Sequence, residues 1–241
     1  MGSTFLTLTN QVLRKLNEVE LTSTTFASAT GFHSLAKDAV NDSINRINQD
    51  QSRWPFNYAK RTEVLVVDQQ EYALPSDKKI IDWSTFFLEA DDDLDVNAST
   101  IPFMSFDDFH NRLRVHDDAL PSGVSAIPQW LTRTRGNKIL FSPTPDKTYT
   151  VTFFYWTQAT PLVNHGDTTT IPTQYDHIIK SGAMGQVYDF RENYEMSGKE
   201  YTIFNASLKS MKALEIDSIP AYAYDTRTPA VSGGSRNRWS R

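Results

Sequence analysis

The hydrophobic period changes twice along this chain, and that change limits the possible fold more than any other feature. Near the N-terminus, apolar residues recur at steps of three and four. Over residues 4–19 they are Phe5, Leu8, Val12, Leu16 and Val19, one face of an amphipathic helix. Residues 31–51 repeat the pattern with Phe32, Leu35, Ala36, Ala39, Val40, Ile44 and Ile47, opposite a face of Lys37, Asp38, Asn41, Asp42 and Asn45. Trp54-Pro55 ends this second helix, because the residue before a proline is pushed out of the α region.

The middle of the chain reads differently. Glu63 to Val67 is a short apolar run, and Glu71 to Pro75 follows the turn-like Asp68-Gln69-Gln70, which together predict a hairpin. Residues 80–89 suit another strand, followed by an acidic loop over 89–95. Residues 103–113 have helical spacing, with Phe106, Phe109 and Leu113 on one side. Residues 129–133 and 138–141 flank Arg135-Gly136-Asn137, a good hairpin turn. The clearest strand is 149–156, YTVTFFYW, rich in β-branched and aromatic residues.

Helical spacing then returns. Pro172 suits a first helical turn, and Tyr175, Ile178, Ile179, Ala183, Val187 and Phe190 form a stripe. A last helix runs to about Ile216, with Tyr201, Phe204, Leu208, Met211 and Leu214 on its core face. The remainder, AYAYDTRTPAVSGGSRNRWSR, has no period and few apolar residues. The expectation is an α+β fold. A four-helix bundle formed from both chain ends would carry an inserted β-rich domain and an extended C-terminal tail. The predicted boundaries are 1–58 and 169–216 for the helices, 59–168 for the insertion and 217–241 for the tail.

Composition narrows the chemistry. A chain of 241 residues buries roughly 70–75% of its unfolded surface, so it needs no disulfide or metal staple. It has no cysteine, which excludes disulfides, thiolate zinc sites, iron–sulfur clusters and cysteine nucleophiles, and fits synthesis in a reducing cytoplasm. The N-terminal segment reads as a first helix rather than a signal peptide, and no stretch approaches the ~18–20 apolar residues of a membrane span. The net charge of −5 hides an asymmetry: residues 226–241 hold four arginines and no acid. The body without them has 20 basic against 29 acidic residues, a charge of −9, which would repel a phosphate backbone.

No catalytic signature emerges. His33, His110, His116, His165 and His177 show no paired metal-ligand spacing, and HExxH, GxSxG, P-loop and dinucleotide motifs are missing. The loop over 89–95 has carboxylates enough for calcium but lacks the glycine and distal glutamate of an EF-hand. It reads instead as a charged loop discouraging edge pairing between sheets. Gly182-Ala-Met-Gly185 lies within a helical stripe and points to close helix packing rather than phosphate binding. The expectation is no enzyme, no cofactor and no metal. Phe32, Phe106, Phe153, Phe190 and Phe204 fall on core stripes, whereas Trp239 lies among arginines in a polar terminal segment. Tryptophan and arginine are enriched at binding hot spots, so Arg227, Arg236, Arg238, Trp239 and Arg241 are the candidate binding residues.

LTNQVLRKLNEVEL, ATGFHSLAKDAVNDSINRINQD, WPFN at 54–57 and EYALPSD, in that order, resemble the head-to-tail adaptor proteins of short-tailed bacteriophages. These are also called tail tubular protein A or head–tail connectors. The resemblance is strongest over residues 5–85, and the later strands followed by two helices agree with it. It implies a structural virion protein, made in the host cytoplasm and assembled as a dodecameric ring beneath the portal protein. Such a ring carries the tail nozzle protein on its other side and, in some members, the tail fibres. The genomic DNA passes through its lumen during ejection. It also implies a C-terminal extension reaching the portal, which the Arg227-to-Arg241 segment matches in position and character. Two other readings stay open at this level: a virion-associated cell-wall hydrolase, and a generic soluble protein-binding module with no phage role.

Overall fold

The computed structural model describes residues 2–91, 96–111 and 125–216. Helix α1 spans Phe5–Lys15 and starts where the Thr4 hydroxyl accepts the Thr7 amide. It stops earlier than the expected residue 19. Asn17 takes a left-handed conformation at φ 55°, and the Glu18 amide donates to the Leu13 carbonyl at 3.0 Å, closing the helix. Val19 therefore leaves the apolar stripe and stands 78% exposed. Helix α2, Phe32–Asp50, keeps its predicted face: Ala36, Ala39, Val40, Ile44 and Ile47 are buried. Trp54 then folds back, fully buried, its indole N–H donating to the Ile47 carbonyl at 2.8 Å.

Among the described residues seven strands follow: β1 Tyr58–Leu65, β2 Glu71–Ala73, β3 Lys78–Leu88, β4 Ser99–Thr100, β5 Trp130–Arg133, β6 Lys138–Ser142 and β7 Tyr149–Thr157. They form two antiparallel sheets, one in the order β1-β7-β3-β4 and one in the order β2-β6-β5. The two sheets share one apolar core that includes Leu65, Tyr72, Phe86, Phe141, Val151 and Phe153. The predicted hairpin over residues 63–75 does not form. β1 pairs with β7 instead, from Tyr58 opposite Trp156 to Leu65 opposite Tyr149. Asp68, at φ 61°, redirects the chain, and β2 joins β6 in the other sheet. The turn at Arg135-Gly136-Asn137 does join a hairpin, β5 to β6, with Asn137 at φ 61°. The helical spacing over 103–113 yields one short helix, α3 Phe106–Phe109; Leu113 lies outside the described residues.

After β7, Pro172 precedes a 3-10 turn at Thr173–Tyr175, which leads into α4 Asp176–Phe190 and then α5 Tyr194–Glu215. The expected four-helix bundle from both chain ends is not what the chain forms. The described residues hold five α-helices, two antiparallel sheets and no closed bundle; the most extensive helix pairing is the C-terminal α4–α5 pair. The reason lies in α4. It buries Ile178, Ile179, Ser181, Gly182, Ala183, Met184, Gly185 and Val187, residues from all round its circumference rather than from one stripe. A helix apolar all round is a central element covered on several sides. Helices α1, α2 and α5 all pack on α4. Helix α5 reaches the others through long side chains: Lys15 to Glu200 at 3.0 Å, and Arg46 over the Tyr201 ring at 5.3 Å. Phe190, placed on a core stripe by its spacing, is 66% exposed because α4 ends there.

The close α4–α5 packing depends on glycine. A Cβ at Gly182 would lie 2.3 Å from Ser43 Oγ and 2.9 Å from the Phe204 ring, and one at Gly185 would lie 2.7 Å from the Tyr201 ring. Close helix packing, not phosphate binding, accounts for this pair.

Candidate interaction surfaces

The outer face of the four-stranded sheet is aromatic. Pleating sends Phe153 and Tyr155 inward and Phe154 and Trp156 outward. The register aligns Tyr58 on β1, Trp156 on β7 and Ile80 on β3 in one row, and Lys60, Phe154 and Asp82 in the next. The Tyr58 ring stacks on Phe154 at 5.2 Å and leans on Trp156 at 4.7 Å, while the Arg53 guanidinium lies 5.3 Å from the Trp156 ring. The Tyr58 hydroxyl donates to Asp82 at 3.1 Å. Beside it, Val64, Val66 and Val67 are exposed along and just beyond β1, at the sheet's edge. Aromatic side chains on both faces of one strand were the available signal: the core between the sheets covers one face and leaves the other outward.

A second apolar surface caps one end of the helical layer. Val19, Phe190 and Tyr194 are among the most exposed large apolar residues. Arg191 pairs with Glu18 at 2.5 Å and covers the Phe32 ring at 4.3 Å, so the α4–α5 junction and the segment after α1 meet at that end. Sequence spacing had counted Val19 and Phe190 as core.

The other candidates resolve into structural roles or fall outside the described residues. His33 Nε2 contacts the Val19 carbonyl at 2.9 Å, and His177 Nδ1 the Gln174 carbonyl at 3.0 Å. His116 lies outside the described residues, as do Asp92, Asp93 and Asp95 of the acidic loop. Glu89 at the start of that loop accepts the Thr152 hydroxyl at 2.6 Å. Among the described residues no three His, Asp or Glu side chains are grouped to hold a metal ion. Burial raises the Asp176 carboxyl above the usual carboxylate range, opposed by hydrogen bonds from Ser3, at 2.5 Å, and Gln11. This contact pins the N-terminal segment to the start of α4. Arg227, Arg236, Arg238, Trp239 and Arg241 all lie outside the described residues.

Residues 3–231 match the model of the SU10 adaptor protein family. The chain belongs to that family. This adaptor is therefore a structural protein of the bacteriophage virion. The match ends before Arg236, Arg238, Trp239 and Arg241. No curated protein matches the chain. Among the adaptor's described residues, no helix is long and apolar enough to cross a membrane.

Proposed function

We propose that the adaptor forms a ring, of twelve copies, between the portal protein and the tail nozzle protein, enclosing the channel through which DNA leaves the head. The observation that carries this reading is the family match over residues 3–231. A closed ring needs two different complementary faces on each subunit. The aromatic sheet face around Tyr58, Phe154 and Trp156 and the helical end around Val19, Phe190 and Tyr194 are two such faces of different chemistry. The acidic body suits a lumen along which DNA slides without binding. Tail fibres would attach, where present, to the outside.

The segment 217–241 is the portal anchor in this reading, with Trp239 as an apolar plug and Arg227, Arg236, Arg238 and Arg241 pairing with acidic groups. Deleting residues after Ile219 should leave a folded protein that no longer joins the portal ring in native mass measurements. Undiminished co-assembly of the truncated chain would sink the anchor. For the ring faces, Phe190→Glu should change the unfolding free energy by no more than about 0.5 kcal/mol, as exposed sites do, while abolishing ring formation with the portal. A variant that assembles normally would remove the helical end from the interface.

A further inference from the structure

Among the described residues there are two apolar cores with a polar seam between them. One core joins the helices with Trp54, Leu162 and Ile171; the other lies between the sheets. The four long helices pack on one another and the strands on one another, with sparse contact between the two groups. Polar side chains bridge the seam. Asn57, 4% exposed, is the hub: its side-chain amide donates to Asn48 Oδ1 on α2 at 2.6 Å, and it accepts the Thr170 hydroxyl at 2.7 Å. The Asn57 carbonyl accepts the Thr157 hydroxyl from the end of β7 at 3.2 Å.

Lys79 of β3 also bridges the seam. Its ammonium donates to the Asn48 and Gln51 carbonyls, the latter at 3.0 Å. These carbonyls belong to the last turn of α2 and its cap, where the helix dipole favours a cation. Two hollows border the seam. A cleft of about 660 Å³, lined in part by Ile44, Asp77, Thr157, Leu162 and Thr170, opens beside it. A smaller hollow of about 240 Å³, lined in part by Arg53, Leu74, Lys79, Trp83 and Arg133, adjoins Lys79.

From this juxtaposition we propose that the seam is a pivot and that Lys79 is its latch, holding β3 to the C-terminal end of α2 in one of two settings. A rotation about Asn57 changes the volume of the flanking cleft and breaks few apolar contacts, because neither core spans the seam. That is the geometry of hinge motion, in which rigid bodies move about a few residues. Releasing the ammonium removes the charge-assisted bonds to α2 and frees the sheets to turn. Burial already lowers the pKa of Lys79 from the ordinary lysine value, so holding it charged there has an energetic cost. Two partners of unlike shape could thus be met by separate adjustment of the helical layer and the sheets.

The chain has no cysteine, so two can be introduced without background: Asp38→Cys on α2 and Thr62→Cys on β1, both exposed. Spin labels at these positions should report one narrow distance distribution, retained in Lys79→Arg and roughly twofold wider in Lys79→Met. An unchanged distribution in a folded Lys79→Met protein overturns the latch. Should that variant fail to fold, native-state hydrogen exchange of the unsubstituted protein decides. The seam amides of Asn57 and Gln158, donors to Trp54 and Asp77, should open at lower free energy than amides of β7 and α4. Equal protection at seam and core would overturn the pivot.

Discussion

Replacing Trp54 with alanine is expected to lower the unfolding free energy by about 3–5 kcal/mol, the range for removing a fully buried large aromatic side chain. Trp54 is among the largest wholly buried side chains, and it stacks on Phe56 at 5.3 Å. Its loss also strips the Ile47 carbonyl, in the last turns of α2, of the indole hydrogen bond at 2.8 Å. That carbonyl lies in a site shaped for the ring, so water or a shorter side chain would replace the bond poorly. Since domains have only about 5–15 kcal/mol in total, the variant should lose a large share of its stability. Urea unfolding followed by far-UV circular dichroism measures the change. A loss below about 1 kcal/mol would mean that the helical core relaxes around the missing ring.

The second large effect concerns the contact between α4 and α5. Gly182→Val should cost about 3 kcal/mol, at the upper end of overpacking penalties, because its Cβ would meet both Ser43 Oγ and the Phe204 ring at impossible distances. Those two atoms belong to different helices, α2 and α5, so relief requires one of them to move away from α4. Gly198 in α5 is the control: a Cβ there meets nothing within 4 Å. Gly198→Ala should therefore stabilise the chain by about 0.5–1 kcal/mol through helix propensity alone. Thermal unfolding of the two variants side by side should give shifts of opposite sign. Shifts of the same sign would show that α5 does not sit against α4 as described.

Both predictions depend on features of different legibility. The burial of Phe5, Leu8 and Val12, and of Ala36, Val40 and Ile47, was visible in the spacing, because a helical period of 3.6 places those residues on one face. The strand at 149–156 was visible in its β-branched and aromatic residues, and the glycine pair within a helical stripe as a close-packing signal. The C-terminal end of α1 was less so. A helix continues in pattern through Leu16 and Val19, and only the left-handed Asn17 takes Val19 out of the core. The candidate surfaces were legible only in part. Aromatic residues at 153–156 marked a strand, but which of them face outward depended on its neighbours.

The sequence alone carried the helix–strand–helix order, most of the buried faces of α1 and α2, the lack of the named catalytic motifs and the resemblance to phage adaptors that the family match bears out. Contacts distant in sequence were needed to learn that β1 pairs with β7 rather than β2, and that α4 is the helix on which α1, α2 and α5 all pack. The physical reason is common to both. Periodicity states that a face must be covered, and it acts within one element. What covers that face is settled between segments 84 to 98 residues apart in the case of β1 and β7, by register, glycine-permitted approach and the competition of every other apolar face in the chain.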